Sequence, residues 1–175
     1  AKTIRAGESI VVRESMERLD AAFREISRYS WVIFTSRNAV KIFFDRMRER
    51  HVDLRKLGSL KFAAVGRGTG EYLESVGITP DFIPVEYTTK ALTHGLVKHL
   101  KENGDTSESG KLLIPRAKQG SKILTETLAE QGYVFDDIPI YDIQVEQTEL
   151  ARLKHADYIT FESGSGVRGF FAGRE

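Results

Sequence analysis

The residues best suited to chemistry in this chain are hydroxyls and glycines gathered at four turns, together with one isolated phenol. Thr35-Ser36-Arg37-Asn38, Gly66-Arg67-Gly68-Thr69-Gly70, Thr88-Thr89 and Ser163-Gly164-Ser165-Gly166 each stand where a helix is predicted to open. At such a position the first backbone N–H groups are free and the helix end is positive, so a carboxylate or phosphate is favoured. The same residue types are the preferred N-caps, and glycine permits tight turns, so each turn taken singly is accounted for by capping alone. Tyr141 ends the run IPIY on a long extended segment, where a phenol could donate a proton or hydrogen bond into a cleft, or simply pack as a strand aromatic. Arg116 follows Leu113-Ile114-Pro115 at the carboxyl end of a predicted strand, placed to pair with a ligand carboxylate or with a neighbouring acidic helix residue.

Other chemistries lack their residues. The chain has no cysteine, which removes a disulfide framework, a thiolate zinc site and a cysteine nucleophile together. His51, His94, His99 and His155 are scattered, and helical spacing puts His94 and His99 on different sides, so no metal site is expected. No Gly-x-Ser-x-Gly elbow is present. The glycine-rich turn is GxGxG without a following Gly-Lys-Ser/Thr, so it supports neither a phosphate loop nor a dinucleotide fingerprint. Asp136 and Asp137 are adjacent on an extended segment, where successive side chains point to opposite faces, and so are poorly placed to act as a cooperating acid and base.

Composition bounds the setting. Of 175 residues, 41% are hydrophobic and 29% charged, the balance of a soluble globular protein, and the formal net charge of +1 announces no polyanion. Basic and acidic residues are interleaved along helix faces, so no nucleic-acid partner is expected. No apolar run has the length of a membrane span, and Ala1 to Gly7 carries no signal core, so the expected location is cytoplasmic.

Short β-rich runs alternate with helical spacing, which predicts an α/β fold with a mainly parallel sheet. Trp31 to Phe34 leads to a helix face of Val40, Phe43, Phe44 and Met47, and Phe62 to Val65 leads to Tyr72, Leu73 and Val76, ended by Gly77. A third strand is predicted around Phe82 and Ile83, before a helix carrying Leu92, Leu96, Val97 and Leu100. The fourth unit is Leu112 to Ile114, then Ile123, Leu124, Thr127 and Leu128, closed by Gly132. Two segments break the rhythm. Ser9 to Arg13 is a short strand feeding a helix with Met16, Leu19, Phe23 and Ile26, and Val134 to Val145 is long, extended and interrupted by Pro139. The polar stretch Asn103 to Gly110 reads as an exposed loop.

An internal repeat is visible when Ser36 is laid on Ser163. WVIFTSRNAVKIFFDR from Trp31 then aligns with YITFESGSGVRGFFAG from Tyr158, with Phe34 on Phe161, Val40 on Val167, Phe43 on Phe170 and Phe44 on Phe171. Further units follow the first copy, whereas the second stands close to Glu175, so the second domain is expected to be only partly represented.

Four motifs in order resemble those of the uroporphyrinogen-III synthases. They are FTSxNAV at Phe34 to Val40, VGxxT at Val65 to Thr69, the PR…G…L…L…G…V…Y run from Pro115 to Tyr141, and FxSxSGV at Phe161 to Val167. The resemblance implies two similar parallel-sheet, flavodoxin-like domains joined by a two-stranded ladder, with the outer domain incomplete. Residues 1–14 would be a linker strand and partial outer region, 15–137 the middle domain, 138–145 the returning strand, and 146–175 part of the outer domain. It implies a cyclising hydro-lyase that closes hydroxymethylbilane to uroporphyrinogen III with inversion of the last pyrrole ring and loss of water, without cofactor or metal. The enzyme would be a monomer, or fused to another tetrapyrrole-pathway enzyme, without nucleic-acid or membrane partners. Tyr141 takes the proton-donor or hydrogen-bonding role by resemblance, and Ser36, Thr69 and Ser163 the substrate contacts, with Thr35, Arg116 and Ser165 as further contacts. Glu162 departs from the pattern, since many members carry a small hydroxyl there and a carboxylate repels an anionic substrate. That departure keeps open a second reading, a non-catalytic tetrapyrrole- or anion-binding module of the same fold.

Overall fold

Apolar residues at helical spacing need a sheet to cover, and the computed structural model, which describes residues 8–144 and the side chains of 11–142, supplies one. Four strands, β2 (Tyr29–Phe34), β3 (Lys61–Ala64), β4 (Lys111–Ala117) and β5 (Phe135–Gln144), run parallel, and β1 (Glu8–Val11) adds to β5 antiparallel. The spatial order is β1-β5-β4-β2-β3. Counted from β2, the parallel strands stand 2-1-3-4, the order of flavodoxin-like sheets.

Helices cover both faces, as near-continuous apolar strands demand. On one face Met16, Leu19 and Phe23 of α1 (Arg13–Arg24) join Val40, Phe43 and Met47 of α2 (Arg37–Glu49) and Leu73 of α3 (Arg67–Ser75). The other is covered by Leu92, Leu96 and Leu100 of α4 (Thr89–Glu102) and Leu124 and Leu128 of α5 (Ile123–Glu130). Phe43 is the hinge pin of the first face, its ring meeting Phe23, Phe34 and Phe44 at centroid distances of 5.0, 5.4 and 5.2 Å. Gly77 and Gly132 both hold positive φ just after α3 and α5, as expected of residues that end helices.

Two expectations change. The strand predicted at Phe82 and Ile83 is a single parallel bridge, Ala63 to Phe82, because Pro80 and Pro84 flank it and leave too few N–H groups for a ladder. Phe82 still does a strand's packing work: its ring tip lies 2.7 Å from where a Cβ on Gly95 would be, so any side chain at that position of α4 would have to push the ring aside. Arg13 opens α1 rather than closing β1. The loop at Asn103 to Gly110 is anchored at Asp105, which accepts from Trp31 Nε1 at 3.3 Å and pairs with Lys61 Nζ at 2.8 Å. The second copy of the repeat, with Glu162, Ser163 and Ser165, lies outside the described residues.

Replacing Phe43 by alanine is expected to cost about 3–4 kcal/mol, the usual cost of emptying a closed aromatic site, measured by urea unfolding. A loss under about 1 kcal/mol would show that this face collapses readily around the gap.

Candidate functional site

The chain passes from β2 to β3 on one side and then crosses to β4 on the other, so the direction of winding reverses between β2 and β4. Open α/β sheets bind ligands at the carboxyl end of that reversal. The gap is physical here. Pairing of β2 with β4 ends at Val32 with Leu113, while β4 continues along β5 to Ala117. Pro115, which has no N–H to give to a ladder, stands in the stretch β2 no longer reaches.

Ser36 and Tyr141 meet across this gap. Ser36 caps α2, its Oγ accepting from the Ala39 N–H at 3.1 Å, and the same Oγ lies 2.8 Å from Tyr141 Oη. The phenol reaches it because β5 does not keep its alternation. Phe135 packs with the α4/α5 face and Ile138 and Ile140 with the α1/α2/α3 face, so a regular strand would turn Tyr141 back towards α4 and α5. The register slips instead: Arg116 pairs with Pro139 but Ala117 with Tyr141, leaving Ile140 as the extra residue of a bulge. Tyr141 therefore joins Ile140 in the same cluster, 3% exposed, with its hydroxyl on the cap of α2.

Burial pushes the Tyr141 phenol above its ordinary value, and the Ser36 hydrogen bond opposes part of that rise. At neutral pH the group is a protonated phenol with a hydroxyl partner, which suits proton donation rather than nucleophilic attack.

Of the other expected site residues, Thr35 is half-buried at the end of β2. Thr69 is buried in the first turn of α3, its N–H donating to the Gly66 carbonyl at 3.1 Å. Gly66 has ordinary extended φ; it is small because Tyr87 crosses it, with Tyr87 Cβ 2.7 Å from where a Cβ would stand. Arg116 is buried and engaged within the fold. Its Nε and Nη2 bind the two Asp137 oxygens at 2.6 and 2.7 Å, and Nη1 donates to the carbonyls of Ala117 and Gly120 at 3.1 and 3.2 Å. Asp137, which the sequence offered only as a poor acid–base companion of Asp136, is the partner of Arg116 in place of the expected helix residue, because parallel pairing of β4 with β5 brings the two together. No group of metal-ligating side chains occurs among the described residues.

A cavity of about 480 Å³ opens elsewhere, at the amino ends of β2 and β5, lined by Arg18, Arg24, Glu25, Tyr29, Asp136 and Ile138. Its polar groups already serve the fold: Tyr29 Oη donates to Asp136 at 2.5 Å, and Arg18 to the Asp137 carbonyl at 2.8 Å. Burial and the Asp136 carboxylate raise the Tyr29 phenol strongly. With both phenols raised, the unfolded chain releases these protons first, near the ordinary value of about 10. Their stabilisation is thus complete below about pH 10 and lost as pH climbs through the folded values. Urea midpoints are expected to fall between about pH 9 and pH 11, less steeply in Tyr29→Phe and Tyr141→Phe; parallel slopes in all three proteins would refute the assignment.

Residues 9–174 match the family described as Uroporphyrinogen-III synthase HemD. The chain is 32% identical over 162 residues to the porphyrin biosynthesis protein HemD of Ruminiclostridium josui, covering 89% of this chain and 31% of that protein. It is 28% identical to the uroporphyrinogen-III synthase of Synechococcus elongatus, covering 87% of this chain and 57% of that one. The chain thus spans roughly a third to three fifths of these relatives. In fold it is similar to the uroporphyrinogen-III synthetase of Helicobacter pylori, with a TM-score of 0.60 at 18% identity over 97% of this chain and 70% of that one. The synthase of Thermus thermophilus gives 0.60 at 18% identity over 86% and 56%. Among the described residues no helix is long and apolar enough to cross a membrane. With the match running over nearly its whole length, this chain belongs to the uroporphyrinogen-III synthase HemD family.

Proposed function

We propose that this chain supplies the middle domain of a uroporphyrinogen-III synthase, and that the gap between β2 and β4 is one wall of the cleft in which hydroxymethylbilane cyclises. The observation that carries this is the neutral, buried phenol of Tyr141 held on Ser36 at the point where the sheet reverses its winding. The substrate's terminal hydroxymethyl group must leave as water. As the C–O bond breaks, the departing oxygen takes the phenolic proton of Tyr141 and leaves as water, and the adjoining pyrrole nitrogen supplies the electron pair that forms the azafulvenium cation, its N–H retained and its charge balanced by the phenolate. Ser36, which accepts from Ala39 and can donate to Tyr141, stabilises the phenolate left behind. The acetate and propionate groups of the substrate suit the hydroxyls and positive helix ends at the turns after β2 and β3, with Thr35 and Thr69 as the contacts. Ser163 and Ser165 would belong to the facing wall. In this reading 15–137 is the middle domain, 138–145 the returning strand, and 146–175 part of the outer domain. The chemistry is proton transfer and carbon–carbon bond closure, and it calls for no cofactor.

The test is an assay of the full-length protein with freshly made hydroxymethylbilane, scoring the type III isomer against the type I isomer that forms spontaneously. Type III is expected, with turnover in Tyr141→Phe lower by about 10²-fold, the usual weight of a general acid. Type I alone from the intact protein would sink the enzyme reading and leave the binding module; undiminished turnover in the phenylalanine variant would remove Tyr141 from the mechanism.

A further inference from the structure

Arg116 is among the most committed side chains of the carboxyl end, and none of its described bonds points to a ligand. It sits on β4 at the last regular pairing before the bulge, opposite Pro139, and its guanidinium closes on Asp137, two residues upstream on β5. Its remaining nitrogen binds both ends of the turn that follows β4, the carbonyls of Ala117 and Gly120. That turn is tight: the Gly120 N–H donates back to Ala117 at 3.1 Å, and a Cβ on Gly120 would stand 3.1 Å from both the Ala117 oxygen and Arg116 Nη1. From inside the turn the Lys118 N–H donates to the carbonyl of Tyr141 at 2.8 Å. A continuous path therefore runs from the Asp137 carboxylate through Arg116 to the turn, and from the turn to the backbone of the residue displaced by the bulge.

We propose that Arg116 and Asp137 are a positioning pair, which fixes the turn after β4 and thereby holds the β5 bulge in the register that turns Tyr141 onto Ser36. The inference rests on the reading of Tyr141 as proton donor and replaces a direct substrate contact for Arg116. The pair fastens β4 to β5 immediately before the slip, and the Lys118–Tyr141 bond fastens them immediately after it. Between the two fastenings one extra residue, Ile140, has to be accommodated, so the bulge cannot migrate along the strand. A lysine at position 116 keeps the charge but cannot span both Asp137 oxygens and two carbonyls at once.

The experiment is a double-mutant cycle on the full-length protein, with Arg116→Met, Asp137→Asn, Tyr141→Phe and Arg116→Met/Tyr141→Phe assayed for type III formation. A pair that only positions the phenol lowers kcat by about 10-fold to 10²-fold, with KM within about twofold, in each of the first two variants. In the Tyr141→Phe background the Arg116 substitution then has no further effect on kcat. Arg116→Lys is expected to fall between the native protein and Arg116→Met. An independent readout is the ring ¹³Cζ resonance of tyrosine, assigned by its loss in Tyr141→Phe: in Arg116→Met and Asp137→Asn the Tyr141 ionisation is expected to drop towards the ordinary value, because the phenol leaves its buried seat.

A raised KM at native kcat would make Arg116 a substrate contact and overturn the proposal. A full Arg116→Met loss that persists in the Tyr141→Phe background would also overturn it, since the pair would then act elsewhere. If Tyr141→Phe is itself as active as the native protein, the reading of Tyr141 fails; the resonance test then still decides whether the pair holds the phenol. Should Arg116→Met not fold, Asp137→Asn and Arg116→Lys carry the same comparison, and an unmoved Tyr141 resonance in both would refute the pair.

Discussion

A β-strand alternates its side chains between two faces, and β5 obeys that rule only as far as Ile140. From Phe135 to Ile140 its residues divide between the two helical layers as the period demands. At Ile140 one residue is inserted against β4, and Tyr141 after it is turned over. Without the slip, Tyr141 would look into the layer of α4 and α5, far from the cap of α2. With it, a phenol and a helix-capping serine 105 residues apart share a hydrogen bond. The rest of the carboxyl end is arranged around that displacement: the parting of β2 from β4, the prolines at 115 and 139 where ladder donors are not required, and the ion pair just before the slip.

The same strand joins the two modes of pairing in the sheet. Along its first half β5 is an ordinary parallel neighbour of β4, and towards its end it also takes β1 as an antiparallel partner, with Val11 opposite Tyr141. Tyr141 is thus held by its backbone from both flanks while its side chain is held by Ser36. The division at Asp137/Ile138 that the resemblance suggested falls inside this unbroken strand. A middle domain and a returning strand divided there share one piece of secondary structure, so a displacement of either is felt at the phenol.

Much of the fold was legible in the sequence because it rests on local periodicity. Val40, Phe43, Phe44 and Met47 declare one helix face, and Leu92, Leu96 and Leu100 another, and each is buried as its spacing requires. Ser36 was legible as a cap, and Asp136 and Asp137 do part to opposite faces, one towards Tyr29 and the other towards Arg116. What the sequence did not disclose is non-local. The strand expected at Phe82 shrank to a bridge because its flanking prolines set the limit, while its apolar content alone suggested more. The contact between Ser36 and Tyr141 depends on strand order and on a one-residue slip, neither of which leaves a periodic trace; Pro139 marks only that something interrupts the ladder. Arg116 and Asp137 could be matched only once β4 and β5 were known to be neighbours. Ser163 and Ser165 lie outside the described residues, and their place in the site is carried by the repeat and the motif resemblance.

Ser36 illustrates how two rules can intersect at one atom. As the cap of α2 its oxygen must accept from the N–H of Ala39, a demand that serine, threonine, aspartate or asparagine can meet. As the neighbour of a buried phenol the same oxygen must also be able to donate or accept without adding charge. Aspartate satisfies the first demand and violates the second, because a carboxylate beside Tyr141 would tighten the phenol's hold on its proton. The vocabulary available at this position is therefore narrower than at the corresponding cap of α4, where Thr88 faces solvent and answers to its helix alone.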